Sequence, residues 1–154
     1  MRMVPFIGLA AGLLFSSASP LLAQGGNAAT ASDAVKEYIR AASDSNLSRM
    51  EELFGTDKGN SIHIHVADLQ KRMVITQAYL ARVSARIMGE VPGAKNHEKD
   101  VTTELSVGSC RVVTSVTAVQ SAKDGWLVRN LNLDQLKDLH GPTCTTRPTG
   151  NTGG

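Results

Sequence analysis

The tightest constraint on the fold is a change of hydrophobic period just after Arg82. Up to that point apolar residues recur three and four apart, the spacing of one buried helical face. Beyond it they alternate every second residue, the spacing of a strand with one face buried. Helices gathered ahead of strands imply an α+β domain, in which the helices pack on one face of an antiparallel sheet. The order read here is three N-terminal helices followed by a curved four-stranded meander.

In the helical half, Val35, Tyr38, Ile39 and Ala42 form the stripe of a first helix, and Ser32 supplies a capping hydroxyl. Asp44-Ser45-Asn46 breaks it. A short second helix carries Leu47, Met50, Leu53 and Phe54, and Gly55 stands where a left-handed residue would close it. Residues 55–62 read as a polar loop. A third helix runs from about Val66 to Ala81, with Leu69, Met73, Thr76 and Leu80 inward and Ile75 and Tyr79 widening that face.

In the strand half, Val83, Ala85, Ile87, Gly89 and Val91 alternate with Ser84, Arg86, Met88 and Glu90 until Pro92-Gly93. Val101, Thr103, Leu105 and Val107 alternate with Asp100, Thr102, Glu104 and Ser106. Gly108-Ser109 is a two-residue hairpin connection into a long strand over 110–121. Val112-Val113 disturbs the alternation there, so a bulge is expected within 112–119. Asp124-Gly125 turns the chain into Trp126–Leu133, where Trp126 is expected to anchor the last hairpin against the helices. Residues 134–139 make a last helical turn.

The ends have a different character. Arg2, the apolar run Phe6–Phe15 and the small residues before Ala23 have the three parts of a secretory signal, and the apolar run is shorter than the roughly 20 residues of a membrane-spanning helix. The expected organisation is a signal peptide at 1–23, a flexible leader at 24–31, the α+β domain at 32–140 and a disordered tail at 141–154. The protein is therefore expected to be exported, to the periplasm or beyond, without a stable membrane anchor. Without Arg2 the chain carries 15 basic against 14 acidic residues, well interspersed. The aromatics of the mature part are Tyr38, Phe54, Tyr79 and Trp126, far apart in sequence. Nucleic-acid binding needs a basic stripe and usually stacking aromatics, so it is excluded as the main role.

The helix–helix–helix–meander order, the opening helix Ala34–Leu47 and the final Asp124-Gly125-Trp126-Leu127-Val128 followed by Leu131-Asn132-Leu133 resemble the nuclear-transport-factor-2-like superfamily, also called SnoaL-like or cystatin-like cones. Phe54-Gly55-Thr56 with Gly59, and Lys71-Arg72-Met73, look most like exported bacterial members of that group. The resemblance covers roughly residues 32–140. It implies a conical fold with a pocket between sheet and helices. It also implies two kinds of role: enzymes such as ketosteroid isomerases, scytalone dehydratases, polyketide cyclases and limonene-epoxide hydrolases, or binding and oligomerisation modules without chemistry.

Only the residues can choose between these. The inward strand positions are read as Val83, Ala85, Ile87, Val101, Thr103, Leu105, Val107, Val116 and Val128, none of them an acid or a base. Glu90, Asp100 and Glu104 are read on the opposite, solvated face. Asp33 and Asp68 are explained as helix-terminal residues. No catalytic residue is assigned on the sheet, so an acid–base group would have to come from the loop with Asp57, His63, His65 and Asp68. His63 and His65, two apart, are the one local pair able to share a metal, with Asp57, Asp68, His97 or His140 as the third ligand. No spacing selects among these four, and no metal or other cofactor is assigned.

Cys110 and Cys144 are the only cysteines, an even pair suited to one disulfide in an oxidising compartment. The bridge would close a loop of about 35 residues, worth roughly 3–4 kcal/mol in the chain-entropy account. The reading reached is a non-enzymatic domain that binds a small apolar ligand or a protein partner, with homodimerisation through the sheet face. The alternative is a cone-pocket isomerase, dehydratase or hydrolase using a carboxylate or histidine.

Overall fold

A computed structural model of the chain describes residues 27–63 and 68–141. Helix α1, Ala31–Ser43, buries Val35, Tyr38, Ile39 and Ala42 as expected, together with Ala31, Ala34 and Ala41. It begins two residues earlier than a cap at Ser32 would allow, because Thr30 is the cap. The Asp33 amide donates to Thr30 Oγ1 at 3.0 Å, and that hydroxyl donates back to the Asp33 carboxylate at 2.7 Å. The leader is likewise corrected over its last residues: Ala28 pairs with Trp126 as an isolated bridge and is 5% exposed.

Helix α2, Leu47–Leu53, is capped by Asn46, whose side chain accepts from the Arg49 amide. It ends at Phe54 in extended backbone. Gly55 does not adopt the left-handed conformation expected of it. A glycine is needed for a different reason: a Cβ there would lie 2.3 Å from the Gly59 carbonyl oxygen and 2.8 Å from Leu127 Cδ1. The loop at 55–62 folds into a minute hairpin, β1 (Gly55–Thr56) with β2 (Gly59–Asn60). Helix α3, Leu69–Leu80, buries Met73, Thr76 and Leu80. Asp68 precedes it in left-handed backbone (φ 54°) and makes no side-chain cap, so the capping role expected of it is withdrawn.

Four antiparallel strands follow in the order β3 (Ser84–Pro92), β4 (Glu98–Val107), β5 (Cys110–Ser121) and β6 (Gly125–Leu131). Val101, Leu105, Val116 and Val128 join the buried residues of α1 and α3 in one core. Each such side chain contributes about 1.5–3 kcal/mol when fully buried. The fold is thus α+β, with its helices against one face of the meander. A fourth helix, α4 (Leu133–Leu136), and a 3₁₀ turn (Lys137–His140) follow the sheet and bury Leu136 and Leu139. None of the described helices is long and apolar enough to cross a membrane.

One bulge falls within residues 112–119, though not at Val112-Val113, and a second lies outside that stretch. β4 and β5 pair without interruption from Glu98↔Val119 to Val107↔Cys110, with Val113 exposed and its neighbour Thr114 buried. One irregularity lies between Ile87 and Gly89, where β3 meets β4, and another at Thr117/Ala118, where β5 meets β6. The first exchanges the faces of the rest of β3. Ile87 stands opposite Thr103, but Glu90 stands opposite Val101 and Val91 opposite Asp100. Glu90 therefore takes the helix-side parity, and Val91 turns outward and is 56% exposed.

Candidate functional site

On the helix side, the centre of the sheet presents Val101, Thr103, Leu105, Thr114, Val116 and Ala118, all buried. The bulge sends Glu90 to this side only at the rim of the edge strand. Its carboxylate accepts from Ser32 Oγ of α1 at 2.9 Å and pairs with Lys99. The bonds from Lys99 and then Ser32 hold the carboxyl below the usual glutamate range. Asp100 and Glu104 lie on the opposite face, as read. Asp100 accepts from Thr117 Oγ1 at 2.7 Å, and Glu104 takes two bonds from the Arg86 guanidinium at 3.1 Å. That outer face also carries Val113, 54% exposed, beside the Arg86–Glu104 pair.

α4 and the 3₁₀ turn lie across the interior. They contact β4, β5 and α3. Gln135 Oε1 accepts from Thr114 Oγ1, and His140 Nε2 donates to the Tyr79 carbonyl at 2.7 Å. Beside them remains a cavity of about 80 Å³, lined by Tyr38, Phe54, Arg72, Met73, Ile75, Thr76, Leu131 and Leu133. Its polar groups are unusual for an apolar wall. The Tyr38 hydroxyl, on a residue 1% exposed, donates to the thioether of Met73 at 3.6 Å, and sulfur is a weak acceptor. Burial pushes the Tyr38 phenol well above the ordinary tyrosine range, although the Thr76 hydrogen bond and the Arg72 charge act the other way. The Arg72 guanidinium sits 5.3 Å over the Phe54 ring and makes no ion pair among the described residues.

The loop flagged in the sequence builds a second, more polar cleft of about 260 Å³. His63 Nδ1 lies 3.7 Å from Asp124 Oδ1, and the other Asp124 oxygen accepts from the Asn60 amide at 2.9 Å. Arg49, also in the wall, is held by Glu37 and Glu52 at 2.6 and 2.8 Å. His65 lies outside the described residues. The other expected ligands go elsewhere. Asp57 and His97 line a separate open depression with Ser121, and His140 is at Tyr79. No group of three or more metal-binding side chains forms among the described residues. Asp124 was missed as the partner of His63 because it is 61 residues away in sequence. Its place in a turn signal gave it a complete local explanation.

Cys110 opens β5 and is 6% exposed; Cys144 lies outside the described residues, as do the signal segment 1–23 and the tail beyond Gly141. No protein-family model matches this sequence, and no curated protein matches it. Among solved structures, one titled as an LEH-like epoxide hydrolase of M. tuberculosis is similar over 70% of this chain and 86% of that one. The two are 20% identical, with a TM-score of 0.34.

Proposed function

We propose that the chain is an exported domain of the nuclear-transport-factor-2-like kind, which binds a small apolar molecule between its helices and its sheet and does no chemistry on it. The observation that carries this reading is the composition of the buried sheet centre, apolar side chains with the hydroxyls of Thr103 and Thr114 and no acid or base. A general base must come within hydrogen-bond reach of its substrate. Glu90 is tied to Lys99 and Ser32 at the rim, and Asp100 and Glu104 point away from that space. Apolar walls with a few placed polar groups are the usual make-up of small-molecule sites.

Thermal unfolding in the presence of eight-carbon alcohols, ketones and acids tests the reading. At least one should raise the melting temperature with one-to-one saturation, since a ligand bound only to the folded state stabilises it. No shift from any of them overturns it. Export and the Cys110–Cys144 bridge belong to the same proposal. Intact mass of exported material should show loss of a segment ending near Ala23, and non-reducing peptide maps should join the two cysteines within one chain.

The cleft with His63 and Asp124 supports a second reading, a hydrolase with a histidine base. An aspartate beside an imidazole orients it for proton transfer. Hydrolysis of simple ester or epoxide substrates that is lost in His63→Gln would favour that reading over the first.

A further inference from the structure

The cavity beside Tyr38 is too small for what its walls would suit. About 80 Å³ holds a few heavy atoms, whereas ligand sites begin at roughly 300 Å³. Next to it lies the segment Leu133–His140, whose Leu133 lines the cavity and whose Leu136 (0% exposed) and Leu139 (1% exposed) insert into the core. Withdrawing two leucines would open a void of the order of the difference, since one leucine removed from a core leaves on the order of 150 Å³ in a known case. The segment's side-chain bonds to the rest of the domain are modest, Gln135 to Thr114 and His140 to the Tyr79 carbonyl. A short element held by Leu133, Leu136, Leu139 and two such bonds belongs to the low-stability end of a domain, where local opening occurs.

The polar groups around that space all favour an acceptor. Tyr38 offers a buried hydroxyl whose present acceptor is a thioether, and Thr114 one whose acceptor belongs to the segment itself. Arg72, at the cavity wall, adds a positive charge with no carboxylate partner among the described residues. Apolar surface with a cation and the Tyr38 hydroxyl at one wall is complementary to a hydrocarbon chain ending in a carboxylate.

We infer that Leu133–His140 is a plug over a binding site for apolar carboxylates, with Arg72 and the Tyr38 hydroxyl receiving the carboxylate and the chain taking the place of Leu136 and Leu139. This rests on the ligand-binding reading above and specifies its ligand. In the closed state Gln135 presents to Thr114 the oxygen acceptor that a ligand would supply.

Calorimetric titration of the full chain with octanoate and with octan-1-ol tests it, both below their aggregation concentrations. Octanoate should bind one-to-one and at least tenfold tighter than the alcohol. Arg72→Gln should remove that preference, weakening octanoate at least tenfold. Gln135→Ala, an exposed position outside the core, should tighten octanoate several-fold by raising the open population. Amides of residues 133–140 should lose hydrogen-exchange protection when octanoate binds.

Binding of neither compound, nor of any apolar molecule, defeats the ligand-binding reading and this inference with it. Equal binding of both, unaltered by Arg72→Gln, leaves that reading standing and overturns the carboxylate assignment. Octanoate binding with unchanged or increased protection at 133–140 overturns the plug.

Discussion

Trp126 and Gly55 show how much a single position can depend on its neighbours. Trp126, expected to anchor the last hairpin against the helices, is half-buried and packs at the core's margin, with Lys99 Nζ 5.3 Å from its ring centre and Ala28 paired alongside. Full truncation of a core aromatic costs about 3–5 kcal/mol; for a half-buried one about 1–3 kcal/mol is expected. Urea unfolding of Trp126→Ala at neutral pH measures it. Gly55 is required by close packing and not by a left-handed turn. With no room for a Cβ between the Gly59 carbonyl and Leu127, Gly55→Ala is expected to cost about 1–3 kcal/mol by forcing backbone apart. The same unfolding measurement decides it, and a cost near zero would mean the hairpin moves aside freely.

At the scale of elements, the bulge between Ile87 and Gly89 matters most, because one extra residue sends Glu90 toward α1 and Val91 to solvent. Glu90 then ties the edge strand to the first turn of α1 through Ser32. Its carboxyl is held below the ordinary range by Lys99 and Ser32, so its contribution is present above the unfolded glutamate value and is lost as pH falls through the folded one. The pair is partly exposed and screened, so Glu90→Gln is expected to cost about 0.5 kcal/mol or less at pH 7. The deficit relative to wild type should shrink at pH 3. Denaturant unfolding of both proteins at the two pH values checks the difference and its sign. The strand itself was legible from its alternation. The exchange of faces was not, because Met88 and Gly89 fit an uninterrupted alternation as well as they fit a bulge.

At the scale of the whole molecule, Tyr38 links the core to pH. Its phenol ionises far less readily when buried than in the unfolded chain, where the ordinary value is about 10. Above that value the unfolded chain gives up a proton that the folded domain keeps, so stability falls as pH rises from about 10 toward the folded value. Tyr38→Phe should flatten this alkaline decline. Melting temperatures of the two proteins between pH 8 and pH 11 test it; parallel curves would mean that the phenol is reached by solvent.

The sequence by itself determined the three N-terminal helices and the four strands of the meander, the α+β order, and the inner faces of α1 and β4. All of these follow from local periodicity and from turns such as Gly108-Ser109. It also singled out His63 within its loop. Only the tertiary structure decided that Asp124 stands beside His63, that Glu90 faces α1, and that Leu136 and Leu139 fill the space between helices and sheet. Each of these depends on residues brought together from distant parts of the chain or on a one-residue change of register. The period of a single element holds no information about either.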